Sequence, residues 1–350
     1  MGWTVEDLSK DLKELKGLFN EETDPGKRVE LANHIGRLER VIIAYSFDRN
    51  TPVISDDNFF VCLDRFPPYR VVLPHVRDFL SQFNGLNIYL ETKKRKERHY
   101  KLEDMQELVH DFYKSVGGIY YDKFLEYEKE KDNRVNFIQI PSSESTSHVV
   151  PPLNKYYLTI GTESDDRDVI ETLVHEIGHV LTFKINNKRY DSNQEYREIE
   201  SLFLELIADR YLSEVTDDRY FTDIEIDRIV NYYKIADLFD SIGNAYDLIL
   251  DNVSNVEEHD KLFSSMVKEQ GITKIPKKNL YNNMNYLFSY ICALELVEIY
   301  REDKDKALNI LTNIISNNKD ITEYERITSN VTPNRHVKKY VKELKKVNSE

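Results

Sequence analysis

The sequence predicts a mainly α-helical protein with one small β-sheet, on three observations. Chain breakers are scarce: 350 residues hold only 11 Gly and 10 Pro, about half the usual share, which favours long helices over a many-turned β fold. Apolar residues recur at helical spacing through most of the chain, and nearly everything after Asp165 follows that rhythm. Strand-like patterns, by contrast, are short and few.

Taken in order, residues 5–19 place Leu8, Leu12, Leu15 and Leu18 on one helical face, and 27–45 do the same with Val29, Leu31, Ile35, Leu38 and Ile42. Asp24-Pro25-Gly26 between them is a turn signal, so the two segments read as a helical pair. Over 51–75 the apolar stretches shorten and are broken by Pro52, Pro67, Pro68 and Pro74, which predicts irregular strands. A helical pattern returns across 100–130. Residues 134–140 alternate like a strand, 141–155 form a Ser- and Pro-rich loop, and Tyr156-Tyr157-Leu158-Thr159-Ile160-Gly161 reads as a second strand. No internal repeat is present, and the softest boundary lies near 131, dividing a helical or mixed N-terminal region, 1–130, from a region 131–350.

Charge and composition narrow the function. The formal net charge is −14, which excludes a generally basic nucleic-acid binder. The run Lys93-Lys94-Arg95-Lys96-Glu97-Arg98 reads as a solvated helix end or loop rather than a nucleic-acid patch. Charged residues make up 31% of the chain, and no uncharged apolar run approaches the roughly 18 residues of a membrane span. Cys62 and Cys292 lie far apart in apolar or aromatic surroundings, giving neither a disulfide framework nor a cysteine metal knuckle. The N-terminus reaches Glu6 and Asp7 before any Lys, unlike a secretion signal, so a cytoplasmic protein is expected and the Asn252-Val253-Ser254 and Asn330-Val331-Thr332 sequons carry no weight.

The chemistry lies in the segment 169–183, an apolar helical pattern with a polar cluster in its middle, His175-Glu176-Ile177-Gly178-His179. Positions four apart on a helix share a face, so both imidazoles can aim at one point. That suits zinc, which accepts imidazole nitrogen at about 2.0–2.1 Å and, in a catalytic site, keeps three protein ligands and leaves the fourth position to water. Glu176, beside the first ligand, can take a proton from that water and pass it to a leaving amine. In a chain of this composition an H-E-x-x-H match is expected by chance only about 0.02 times, and burying two imidazoles and a carboxylate without a partner is costly.

The third ligand has more than one candidate. Residues 196–212 form a second helical pattern whose apolar face is centred on 202–208. Glu205 lies in that apolar part, with Asp209 four positions on and able to orient a zinc-bound imidazole. Glu198 is its rival in the more polar first part, and Glu200 comes third. Burial and the paired Asp favour Glu205.

The sequence from Tyr157-Leu158-Thr159-Ile160-Gly161-Thr162 and Asp168-Val169-Ile170-Glu171-Thr172-Leu173 through His175-Glu176-Ile177-Gly178-His179 resembles the thimet oligopeptidase/oligoendopeptidase F family of zinc peptidases, as does Tyr286-Leu287-Phe288-Ser289-Tyr290-Ile291-Cys292-Ala293-Leu294 near the C-terminus. The resemblance covers roughly 150–350. It implies a zincin-like metallopeptidase with helical lobes around a substrate channel, a Zn²⁺ cofactor, oligopeptide substrates, His175 and His179 as ligands, Glu176 as general base, and Tyr286 as a donor to the oxyanion. The family's ligand helix reads E-x-x-S-x-x-x-E with the first Glu on the metal, which selects Glu198 with Ser201 and Glu205. Loop length instead favours Glu205, and Glu205-Leu206-Ile207-Ala208-Asp209 resembles the E-x-x-x-D helix of the wider Glu-zincins.

Against the family pattern, the chain is short, and 243–285 lacks a clear counterpart of the His- and Tyr-rich substrate loop. His259 is the only His there, with Tyr246, Tyr281 and Tyr290 as possible substitutes. The strand at 156–160 is expected to offer an exposed edge on which an extended peptide could pair. A zinc-dependent peptidase is therefore the expected function, with a zincin scaffold turned to binding or regulation, or a protease specialised for one protein target, as alternatives.

Overall fold

The computed structural model describes residues 2–46, 69–83, 98–186, 198–252, 277–315, 323–339 and 341–342. Contacts divide the chain into two units, one formed by 1–56 with 99–190 and the other by 57–98 with 191–350. Among the described residues the architecture is mainly helical with one small, three-stranded sheet, as the sequence predicts.

The first unit opens with α1, Val5–Glu21, and α2, Pro25–Ser46. A capping box fixes the start of α1, with Thr4 and Asp7 satisfying each other's backbone N–H groups. Leu8, Leu15, Leu31, Leu38 and Val41 bury the facing stripes of this pair in a cluster that also takes in Trp3, Val150 and Tyr157. Trp3 and Asp11 tie it to the sheet. The Trp3 indole N–H donates to the Leu158 carbonyl at 3.0 Å, and buried Asp11 accepts from both Lys155 and the Tyr157 hydroxyl.

The helical pattern over 100–130 becomes two helices, α4 (Leu102–Val116) and α5 (Gly118–Glu130), because Gly117 takes a φ of 69° that side chains rarely tolerate. Tyr113 and Phe124, one from each helix, stack at 4.6 Å in the core. The sheet follows as β1 (Val135–Ile138), β2 (Thr146–Val150) and β3 (Lys155–Gly161), in spatial order β1-β3-β2. β3 pairs parallel with β1, Val135 opposite Leu158, and antiparallel with β2, Ser147 opposite Leu158.

Two expectations change here. The stretch 141–155 is not only loop: Thr146-Ser147-His148-Val149-Val150 is extended between a 3₁₀ turn at Ser142–Glu144 and the Pro151–Leu153 turn. As a result β3 is the central strand with both edges paired, so it offers no free edge to a peptide. Residues 156–161 of β3 are buried, and its first residue, Lys155, is half-buried. A short turn then leads from Gly161 into α6, Asp166–Ile185, which packs on the sheet and on α4 and α5.

In the second unit α3, Tyr69–Ser81, corrects the strand expectation over 69–75. Val72, Leu73, Val76 and Phe79 sit at helical spacing and are buried, and their burial outweighs the hydrogen bond that Pro74 forfeits early in the helix. The rest of that expectation, 51–68, lies outside the described residues. Next come α7 (Glu198–Thr216), α8 (Tyr220–Asn252), α9 (Lys277–Glu302), α10 (Lys304–Ile315) and α11 (Glu323–Asn330). α7 packs along α9, whose residues 287–298 are buried on every side, as expected of a helix at the centre of its unit. α3 packs on α8. Of the basic run, only Arg98 is described, and it donates to the Thr216 carbonyl at the end of α7. Cys292 is buried in α9, while Cys62 lies outside the described residues.

Candidate metal centre

α6 is positioned before its chemistry begins. Asp165 caps its N-terminus by accepting from the Arg167 backbone N–H, and also holds the Arg167 guanidinium at 2.7 Å, which keeps its own carboxyl below the usual range. At the middle of the helix the buried Tyr113 hydroxyl donates to the Val174 carbonyl at 2.9 Å, fixing α4 to the turn just before His175. Near its C-terminus Lys184, buried along its stem, pairs with Glu130 at 2.9 Å and lies over the Tyr156 ring. The apolar residues Val169, Ile170, Leu173, Val174, Ile177, Val180 and Leu181 are all buried, so α6 is held nearly all round.

Into this helix the sequence sets His175, Glu176 and His179. The Nε2 atoms of the two histidines approach to 3.1 Å with their rings nearly perpendicular, 85° apart. His175 is half-buried and His179 and Glu176 are each 8% exposed. Two nitrogens bound to one tetrahedral zinc at about 2.0–2.1 Å stand about 3.3 Å apart, so the imidazoles already converge to nearly the separation that a shared ion requires.

On α7 the candidate carboxylates part company. Glu198 is 5% exposed and accepts from the Ser201 hydroxyl at 3.3 Å. Glu205 instead pairs with Arg228 of α8 at 3.4 Å, and Asp209 accepts from the same guanidinium at 2.6 Å. Glu200 lies about 200° round the helix from Glu198. It is 1% exposed, neither of its carboxyl oxygens has a hydrogen-bond partner among the described residues, and burial holds its pKa well above the usual value. It is a core residue.

Among the described residues, one set of His, Cys, Asp or Glu side chains could hold a metal ion: His175, His179 and Glu198. The set does not include Glu205. Two neutral imidazoles and one carboxylate are a donor set that zinc accepts, and the converging Nε2 atoms supply the geometric fit.

Tyr286 lies in α9 and is half-buried. Tyr290, one turn on, is fully buried and stacks on Tyr232 of α8 at 3.9 Å, a packing role. Tyr246 and Tyr281 fall where side chains are not described, and His259 lies outside the described residues. The residue that sequence reasoning missed is Arg228. Its signal was an Arg among Ile226, Ile229 and Tyr232 on the buried face of a helix, opposite two carboxylates spaced by one turn.

No family model and no curated protein matches the chain. Several solved structures do. A provisionally assigned oligoendopeptidase F from Bacillus anthracis str. Ames is 14% identical with a TM-score of 0.49, the match covering 99% of this chain and 66% of that one. PZ peptidase A with an inhibitor is 14% identical with a TM-score of 0.47, over 97% and 67% of the two chains. A provisionally assigned peptidase from Chlamydophila abortus is likewise 14% identical, with a TM-score of 0.47, over 99% and 63%. The chain thus spans about two thirds of the length of the proteins it resembles.

Proposed function

We propose that the protein is a zinc-dependent peptidase whose metal is held by His175, His179 and Glu198, and that it acts on oligopeptides. One observation carries the reading: the Nε2 atoms of two histidines on successive turns of a firmly held helix meet at 3.1 Å, with an acidic residue beside the first. The motif's low chance frequency and the buried carboxylate of Glu198 support it.

When bound, zinc supplies Lewis acidity that activates water and polarises a carbonyl. The remaining steps fall to the chain. Glu176 accepts the proton of the attacking water and delivers it to the amine as the peptide bond breaks, so it acts as base and then as acid. Tyr286 is the proposed hydrogen-bond donor to the oxyanion of the tetrahedral intermediate. In this proposal Glu198 takes the place as third ligand that sequence reasoning gave to Glu205, because its carboxylate, and not that of Glu205, gathers with the two imidazoles.

Replacing Glu176 with Gln tests the chemistry. The variant is expected to keep its zinc and to lose turnover of fluorogenic peptides by about 10²–10⁴-fold. Unchanged turnover with zinc still bound would sink the mechanism.

A further inference from the structure

We infer that Arg228 is a positioning residue that sets the rotation of α7 and so aims Glu198 at the metal. The inference rests on the zinc reading above and deepens it.

α7 and α8 run antiparallel, and polar links recur along their shared face. Ser213 meets Thr222 at 3.0 Å, Arg210 meets Glu225 at 3.2 Å, and Arg228 meets both Asp209, at 2.6 Å, and Glu205, at 3.4 Å. As the numbers climb on α8 they fall on α7, and Arg228 makes the link nearest to Glu198. At 100° per residue, Glu198, Glu205 and Asp209 lie within about 40° of one another round the helix. A guanidinium gripping the second and third of these therefore fixes the direction of the first. Arg228 suits the task because its planar fork can hold two carboxylates at once, and it is itself mostly buried. Its base is packed: on the next turn of α8, Tyr232 stacks on Tyr290 of α9.

The alternative role for Arg228 is a charge alone, and it predicts the opposite sign. A guanidinium near a cation site weakens cation binding, so its loss would raise zinc affinity. A positioning residue makes its loss lower the affinity, typically by about 10–100-fold for a group that orients a ligand.

The test measures zinc affinity by competition with a chromogenic chelator, together with thermal stability, for the full chain and for Arg228→Gln, Arg228→Lys and Glu198→Gln. Arg228→Gln is expected to bind zinc about 10–100-fold more weakly while still unfolding cooperatively. Arg228→Lys, which keeps the charge and loses the fork, falls between. At saturating zinc, kcat in Arg228→Gln should return toward that of the unaltered chain with KM unchanged. An affinity that is unaltered or raised in a folded Arg228→Gln overturns the inference. Should Arg228→Gln not fold, Arg228→Lys decides, and affinity equal to that of the unaltered chain overturns it. If the unaltered chain binds no zinc, or Glu198→Gln binds it equally well, the zinc reading itself fails, a result distinct from the failure of Arg228.

Discussion

At the scale of single residues, the second unit holds acidic groups whose environments pull them in different directions. Glu225 is 2% exposed, and burial raises its pKa from 4.5 to about 7, although Arg210 draws it down. The sign of the consequence follows from proton counting. Between about 4.5 and 7 the folded chain holds a proton on Glu225 that the unfolded chain has released, so this group's contribution to stability is fully present below about pH 4.5. It is lost as the pH rises through about 7. The shift corresponds to about 3 kcal/mol at most. Glu225→Gln should therefore unfold at a higher temperature than the unaltered chain at pH 8 and at about the same temperature near pH 4.5. Melting curves across that range check it, and a difference that does not grow with pH would refute the assignment.

Residue identity also shows how far the site could be read in advance. His175, Glu176 and His179 are local in sequence, and their spacing alone places them on one helical face. The carboxylates of α7 are equally visible, yet choosing among them depends on what stands opposite each side chain. Burial favours Glu205 only while Arg228 is out of sight. Once the guanidinium is counted, Glu205 has a countercharge, and the carboxylate that gathers with the two imidazoles is that of Glu198.

At the scale of elements, the legible parts are those set by periodicity. The pair α1 and α2, the strand β3, and the helices α6 and α7 lie where apolar spacing puts them. The illegible parts are those where long-range pairing or packing overrides the local signal. β2 forms within a Ser- and Pro-rich stretch because β3 provides a partner, and α3 continues through Pro74 because Val72, Leu73, Val76 and Phe79 are buried. The turn from β3 to α6 depends on Gly161 in the same non-local way. A Cβ there would lie 2.3 Å from the Pro141 carbonyl oxygen and 2.6 Å from that of Ile140, both backbone atoms. Gly161→Ala should thus cost about 1–3 kcal/mol of stability, read from denaturant unfolding. A variant as stable as the unaltered chain would mean that the strand end is looser than its contacts imply.

At the scale of the whole molecule, each unit is described by its own helices. In the first, His175, Glu176 and His179 stand on α6, a helix capped at its start, anchored at its middle by Tyr113 and held near its end by Lys184. In the second, the carboxylate-rich α7 is linked to α8 through Arg210 with Glu225 and Arg228 with Asp209. No helix among the described residues is long and apolar enough to cross a membrane. Both edges of β3 are paired, so the proposed peptide binding does not draw on a free edge of that strand.

The most direct test of the central claim is the zinc content of purified protein, measured by elemental analysis after exposure to excess zinc and removal of loosely held ions. The account predicts about one equivalent per chain in the unaltered protein and in Glu205→Gln, with loss of the metal in His179→Ala and Glu198→Gln. A chain that retains no zinc would contradict it, as would a Glu198→Gln variant that keeps its zinc while Glu205→Gln loses it.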